Sequence, residues 1–174
     1  LLTLSRIEAA AKVHYDDNVD APAMLTLLEQ EAHSLNREKQ HQLHFDIDPD
    51  LRVTGITEEL RSAFSNLITN AIKYTPPGGE IQVCWQRQHQ KALFSVTDNG
   101  EGIAPHHVKR LTERFYRVDD ARARSGPGDD GGTGLGLAIC TSIVAAHGGM
   151  MRLLSEPGQG MEVMIHLPEG PPAA

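Results

Sequence analysis

The chain has 174 residues, 40% hydrophobic and 22% charged, with a formal charge of −7. That size and balance suit one globular domain with its own core and exclude disorder for the bulk of it. Basic residues form no run or stripe, which argues against nucleic acid as the main partner, and no apolar run approaches the roughly 18–20 residues of a membrane span. Cys84 and Cys140 lie far apart within apolar stretches, without metal or redox spacing, and are expected to be buried free thiols.

In chain order, Leu1, Leu4 and Ile7 form a helical stripe, so residues 1–11 read as the end of a helix already under way, in a piece of a longer protein. Residues 12–20 are polar and read as a linker. Pro22 marks a helix start, and Met24, Leu25, Leu28, Ala32 and Leu35 continue its apolar face to about Gln40. Gln42 to Ile47 alternates as a strand, and Leu51 to Thr54 is a short strand after the Pro49-Asp50 turn. Thr57 is expected to N-cap the next helix, with Glu58 and Glu59 favourable in its first turn. That helix ends before Pro76-Pro77-Gly78-Gly79. Strands over about 80–87 and 91–97 follow, then a loop at 125–134 too rich in Gly and Asp to pack a core. A helix over about 134–147, strands near 150–155 and 161–167, and a tail at 169–174 complete the main unit, residues 21–168. Helices interleaved with mostly adjacent strands predict an α+β fold, a sheet covered on one face by helices.

Three stations carry chemistry. On the 58–74 helix, Leu60, Phe64, Leu67 and Ala71 share one stripe, while Asn66, Asn70 and Lys73 share a neighbouring face. An amide oxygen is a hard ligand suited to Mg²⁺, and Lys73 one turn on is a point charge for a phosphate oxygen. Tyr74, at the edge of the core stripe, could cover a flat base. Asp98 ends the second strand; its ionised carboxylate only accepts hydrogen bonds, which suits the exocyclic amine of adenine. Gly100 and Gly102 let the backbone turn tightly beside a ligand. Gly132, Thr133, Gly134, Leu135, Gly136 and Leu137 stand at a loop-to-helix junction whose free N–H groups suit an anion, and Leu135, Ile139 and Ile143 resume helical spacing there. The spacing matches neither a Rossmann turn nor a P-loop. Each station alone has an ordinary structural reading; the ordered set outlines a nucleotide site. His106-His107 is a tempting metal pair, but adjacent residues diverge on a helix and no third ligand is obvious.

This set resembles the catalytic, ATP-binding domain of bacterial sensor histidine kinases. Asn66 to Tyr74 is similar to that family's N box, Asp98 to Gly102 to its G1 box, Leu111 to Arg117 to its F box and Gly132 to Leu137 to its G2 box. The wording at 111–119 is most similar to the phosphate-regulon branch, which implies phosphate-starvation signalling. Residues 1–9 resemble the end of the second dimerisation helix. The resemblance implies a two-layer α/β sandwich of the Bergerat type with a flexible ATP lid over about 117–133. It further implies that Asn70 ligates Mg²⁺ with Asn66 in support, Lys73 meets a terminal phosphate, Tyr74 stacks near adenine and Asp98 binds its amine. The 132–136 amides would hold phosphates, and Arg117 would help the γ-phosphoryl group leave toward a histidine. Implied partners are the dimerisation domain of the same protein and, indirectly, a response regulator. The parent would be a homodimer anchored in the inner membrane, this part cytoplasmic and monomeric.

Two departures from the family pattern stand out. The closing loop, usually Gly-x-Gly-Thr, reads Gly158-Gln159-Gly160-Met161, and none of the nine histidines sits in an acceptor context. Related ATPases and serine kinases place a Glu base where this chain has Asn66. An amide has no usable basicity, so activating water by that route is closed, whereas imidazole is already nucleophilic. The reading is therefore a histidine kinase domain; the alternatives are a nucleotide-binding module without phosphotransfer, or an ATPase.

Overall fold

The computed structural model describes residues 16–102 and 136–169. It opens on β1 (Asp16–Val19), inside the stretch expected to be a linker; β1 pairs antiparallel with β3 (Val53–Gly55) as a two-stranded sheet. Val19 is fully buried, so this strand belongs to the core. Between them lie α1 (Ala21–Leu35) and β2 (Gln42–Ile47). After β3 come α2 (Thr57–Tyr74), β4 (Glu80–Gln88), β5 (Lys91–Asp98), α3 (Gly136–Ala146), β6 (Met150–Glu156) and β7 (Gly160–Pro168). The five-stranded sheet has the order β2-β4-β5-β7-β6, with β2 parallel to β4 and the other pairs antiparallel. This is the expected α+β sheet with helices packed on one face.

Local chemistry sets the element ends. Asp20 caps α1, its carboxylate accepting from the Ala23 N–H at 3.0 Å. α1 stops at Leu35, short of the expected Gln40. Asn36 becomes its C-cap because its side-chain amide is drawn away to the backbone of His41, accepting from its N–H (2.9 Å) and donating to its carbonyl (2.7 Å). Leu35, expected on the apolar face, is exposed there. Thr57 is the first residue of α2 and not its cap; that place falls to Ile56, which has no side chain able to cap. The β4–β5 turn is a two-residue hairpin with both His89 and Gln90 at positive φ, the twist such hairpins favour.

The core lies between sheet and helices. The α2 stripe (Leu60, Phe64, Leu67 and Ala71) is buried as expected, against Ile81, Val83 and Trp85 of β4 and Phe94 and Val96 of β5. Phe64 stacks on Phe94 with ring centroids 4.2 Å apart and lies 5.7 Å from Trp85, whose indole N–H donates to the Leu51 carbonyl. On α3 the buried residues are Cys140 and Val144, whereas Ile139 is exposed. Of the two thiols, Cys140 is buried as expected; Cys84 is only half-buried, on the sheet face away from the helices.

Replacing Phe64 with Ala removes the ring on which that cluster closes. We expect a loss of about 3–5 kcal/mol in urea unfolding, followed by the fluorescence of Trp85, the single tryptophan.

Candidate functional site

The site is built along α2 and the strand end beside it. Burying the α2 stripe turns Asn66, Asn70 and Lys73 onto a flank, where all three are half-buried. Asn66 faces α3 and its amide hydrogen-bonds the Cys140 thiol; burial, opposed by that bond, pushes the thiol up to about 11. Cys140 also donates to the Ala63 carbonyl at 3.5 Å. Lys73 stands at the end of α2 with its Nζ 5.7 Å from the centroid of Tyr74, a half-exposed ring. Lys39 reaches across from the α1–β2 connection to cap the Lys73 carbonyl.

Asp98 ends β5 on the helix-covered face, in line with Phe94 and Val96. Its carboxylate accepts from the Gly100 N–H at 2.9 Å and from the backbone of Met161, its register partner on β7. Burial nevertheless outweighs these bonds and the nearby His41 ring, and holds the carboxyl above its ordinary range. Met161 lacks the hydroxyl of the usual threonine, yet its main chain supplies a donor to Asp98.

Close approach explains the glycines here. A Cβ on Gly102, at φ +67°, would lie 2.1 Å from the Glu156 carbonyl oxygen, and one on Gly160, at φ +93°, 2.0 Å from that of Asp98. The Asp98–Gly102 turn is thus pressed onto the β6–β7 hairpin. Gly100 faces the other way: a Cβ there would be 3.6 Å from the Thr75 Cα, so the exit of α2 runs directly past the Asp98 turn.

Sequence reasoning missed the histidine that holds this exit. His41 is buried, and its Nε2 lies 2.8 Å from the Thr75 carbonyl and 3.1 Å from that of Pro76. Carbonyls only accept, so Nε2 carries the proton. His41 Nδ1 and Thr75 Oγ1 are buried without a partner among the described residues. The only sequence signal was a polar residue at the start of an alternating strand, which is too common to single out.

The structure therefore sets Asn66, Asn70, Lys73 and Tyr74 along the second half of α2, with the Asp98–Gly100 turn beside its exit and Gly102 against the β6–β7 hairpin. Gly136 and Leu137 open α3, about one turn before Cys140, the residue that meets Asn66. Gly132, Thr133, Gly134, Leu135, Arg117 and the rest of the 111–119 motif, the expected lid and His106-His107 lie outside the described residues. Among the described residues no group of three or more His, Cys, Asp or Glu side chains converges on a metal site. The Asn70 amide oxygen is a hard donor of the kind a cation could take together with ligand and water oxygens.

Comparison with known proteins bears on the family and the fold. The family described as histidine kinase-, DNA gyrase B-, and HSP90-like ATPase matches residues 55–171. The phosphate regulon sensor protein PhoR of Pseudomonas aeruginosa is 42% identical over 166 residues, 95% of this chain and 37% of its own length. The sensor-like histidine kinase SenX3 of Mycolicibacterium smegmatis is 36% identical over 171 residues, 98% of this chain and 44% of its own. The chain thus spans less than half the length of these curated relatives. Among solved structures, the mycobacterial sensor histidine kinase MprB superposes with a TM-score of 0.73 at 31% identity, over 88% of this chain and 99% of that one. Full-length ShkA in complex with AMPPNP gives a TM-score of 0.76 at 28% identity, over 90% of this chain and 32% of that one.

Asp98 carries a stability cost with a defined sign. A carboxyl raised on folding favours the native state most below the ordinary carboxylate pKa of about 3.9, and that contribution is lost as pH rises through the raised value. Asp98→Asn abolishes the titration. The stability of the variant relative to wild type is expected to rise between pH 3 and pH 7, read by urea unfolding at both; a constant difference would show that Asp98 titrates normally.

Proposed function

The chain belongs to the histidine kinase-, DNA gyrase B- and HSP90-like ATPase family, and from that premise we propose that it is the ATP-binding catalytic domain of a two-component sensor kinase. It would pass the γ-phosphoryl group of ATP to a histidine on a dimerisation domain outside this chain, in phosphate-starvation signalling, with a response regulator downstream. The parent would be an inner-membrane homodimer, with this domain cytoplasmic and monomeric by itself. No helix among the described residues is long and apolar enough to cross a membrane.

The observation that carries the kinase reading is Asn66. At the position where a water-activating member of the family holds a carboxylate, this chain holds an amide, which lies beside the Cys140 thiol. The acidic residues of α2 are Glu58 and Glu59 in its first turn, about two turns before Asn66. With no base at that position of α2, transfer rests on positioning and electrostatics, which suffice for an acceptor that is already nucleophilic.

The described residues suit an adenine nucleotide. Asp98 presents an acceptor for the adenine amine, Tyr74 a half-exposed ring for the base, Lys73 a charge for a terminal phosphate and Asn70 an oxygen for Mg²⁺ with Asn66 in support. The 132–136 amides and Arg117 are assigned to the phosphates by motif alone. Bound Mg²⁺ would neutralise phosphate charge; the chain's own part is to hold the nucleotide in line with an acceptor supplied by the partner domain.

The test mixes this domain with a separately made dimerisation domain, γ-labelled ATP and Mg²⁺. Label on the partner that is labile to acid and stable to base is the expected result. Rapid release of phosphate without labelled protein would make the domain an ATPase, and neither product would leave a nucleotide-binding module. Within this assay Asn70→Ala should abolish most of the Mg²⁺-dependent part of ATP affinity. Asp98→Asn should cost about 1.5–3 kcal/mol of adenine nucleotide binding, as for a hydrogen bond to a charged group. Calorimetry with and without Mg²⁺ reads both, and unchanged affinity would remove the residue from the site.

A further inference from the structure

α2 and α3 run antiparallel and are hydrogen-bonded to each other at two levels. At one, the Cys140 thiol donates to the Ala63 carbonyl; at the other, the Ile56 N–H donates to His147 Nε2 at 3.0 Å. The two levels are seven residues apart on both segments, about two helical turns, so the helices are in step. Continuing one turn from Cys140 toward the start of α3 reaches Gly136, level with Asn66 and Leu67 on α2. The contact between Asn66 and Cys140 agrees with that register.

His147 is built to hold this register. It is buried, and its Nδ1 lies 2.7 Å from the Ile143 carbonyl. The carbonyl accepts, so Nδ1 carries the proton and Nε2 presents its lone pair to Ile56. The ring also occupies the space a side chain at position 55 would need: a Cβ on Gly55 would meet His147 Cδ2 at 2.6 Å and Nε2 at 2.9 Å. Beyond it, Gly148 turns at φ +73°, and a Cβ on Gly149 would lie 2.3 Å from the His166 carbonyl oxygen, so the exit of α3 is seated against β7. The ring therefore joins the entrance of α2 to a helix end already fixed on the sheet. Apolar packing between the helices is non-directional and tolerates sliding, whereas a hydrogen bond at each level does not.

We propose that His147 is a positioning residue for the phosphate end of the nucleotide site: by tying the entrance of α2 to the exit of α3 it sets Asn66 against the first described turn of α3, from Gly136 to Cys140. This rests on the nucleotide reading above. Mg²⁺ demands near-ideal ligand geometry, and displacement by about 1 Å is enough to cost a factor on the order of a hundred at a reacting centre. The adenine end rests chiefly on Asp98 of β5, which is fixed by its own strand pairing to β4 and β7, and so depends less on this register than Asn66 does.

The test compares adenosine with Mg-ATP binding by calorimetry in wild type, His147→Leu, His147→Gln and Gly55→Ala, each checked for folding by circular dichroism. His147→Leu and Gly55→Ala are expected to weaken Mg-ATP on the order of tenfold or more while adenosine changes less than about threefold. His147→Gln, whose amide oxygen can accept from Ile56, should recover part of the loss. Equal losses for both ligands, or no loss in folded variants, would overturn the inference alone. A wild-type chain that binds neither ligand would overturn the nucleotide reading itself, and the inference with it.

Discussion

The stack of Phe64 on Phe94, closed from the side by Trp85, is the contact on which the site depends. It fixes the rotation of α2 about its own axis. A helix has one azimuth that buries Leu60, Phe64, Leu67 and Ala71, and with that azimuth chosen Asn66, Asn70 and Lys73 fall on the flank. Hydrophobic burial, which knows nothing of nucleotides, is thereby what aims the polar face. The same stack fixes β5 beneath the helix, and β5 delivers Asp98 to the end of α2 on the helix-covered side of the sheet.

The site is held in place at some cost to the fold. Asp98 keeps a carboxylate where burial disfavours its charge, and two main-chain donors only partly compensate. Gly102 and Gly160 leave out side chains so that the turn and the β6–β7 hairpin can touch backbone to backbone. Such local departures from what stability alone would choose are tolerated because the core is large and continuous around them. They make physical sense if an exocyclic amine is to meet an acceptor partly shielded from water, where a hydrogen bond is stronger.

Two buried histidines hold the ends of the functional helix by opposite chemistry. His147 accepts from the main chain at the entrance of α2, and His41 donates to the main chain at its exit. Both act through backbone groups that a helix cannot satisfy by itself, near the ends where orphan N–H and C=O groups collect. Neither residue carried a distinctive sequence signal, because a hydrogen bond to a backbone atom 91 or 34 residues away leaves no local pattern. The β1 strand was missed for a related reason: with its partner β3 distant in sequence, a short stretch rich in Asp and Asn reads as a linker. Likewise His89 and Gln90 adopt a tight hairpin turn without the Gly or Asn that would announce it.

By itself the sequence determined the three described helices and most of the described strands, the buried stripe of α2, and the residue types of the candidate site. Those depend on periodicity, turn chemistry and motif order, which are local and written along the chain. Only the tertiary structure decided where α1 ends, since Asn36 gives its side chain to His41 instead of to the helix. It alone decided that Val144 and Cys140, and not Ile139, form the buried side of α3, because that face is chosen by the neighbour against which the helix packs. It also decided that Met161 serves Asp98 through its main chain, a role no side chain could reveal, because a strand pairing presents backbone donors whatever residue carries them.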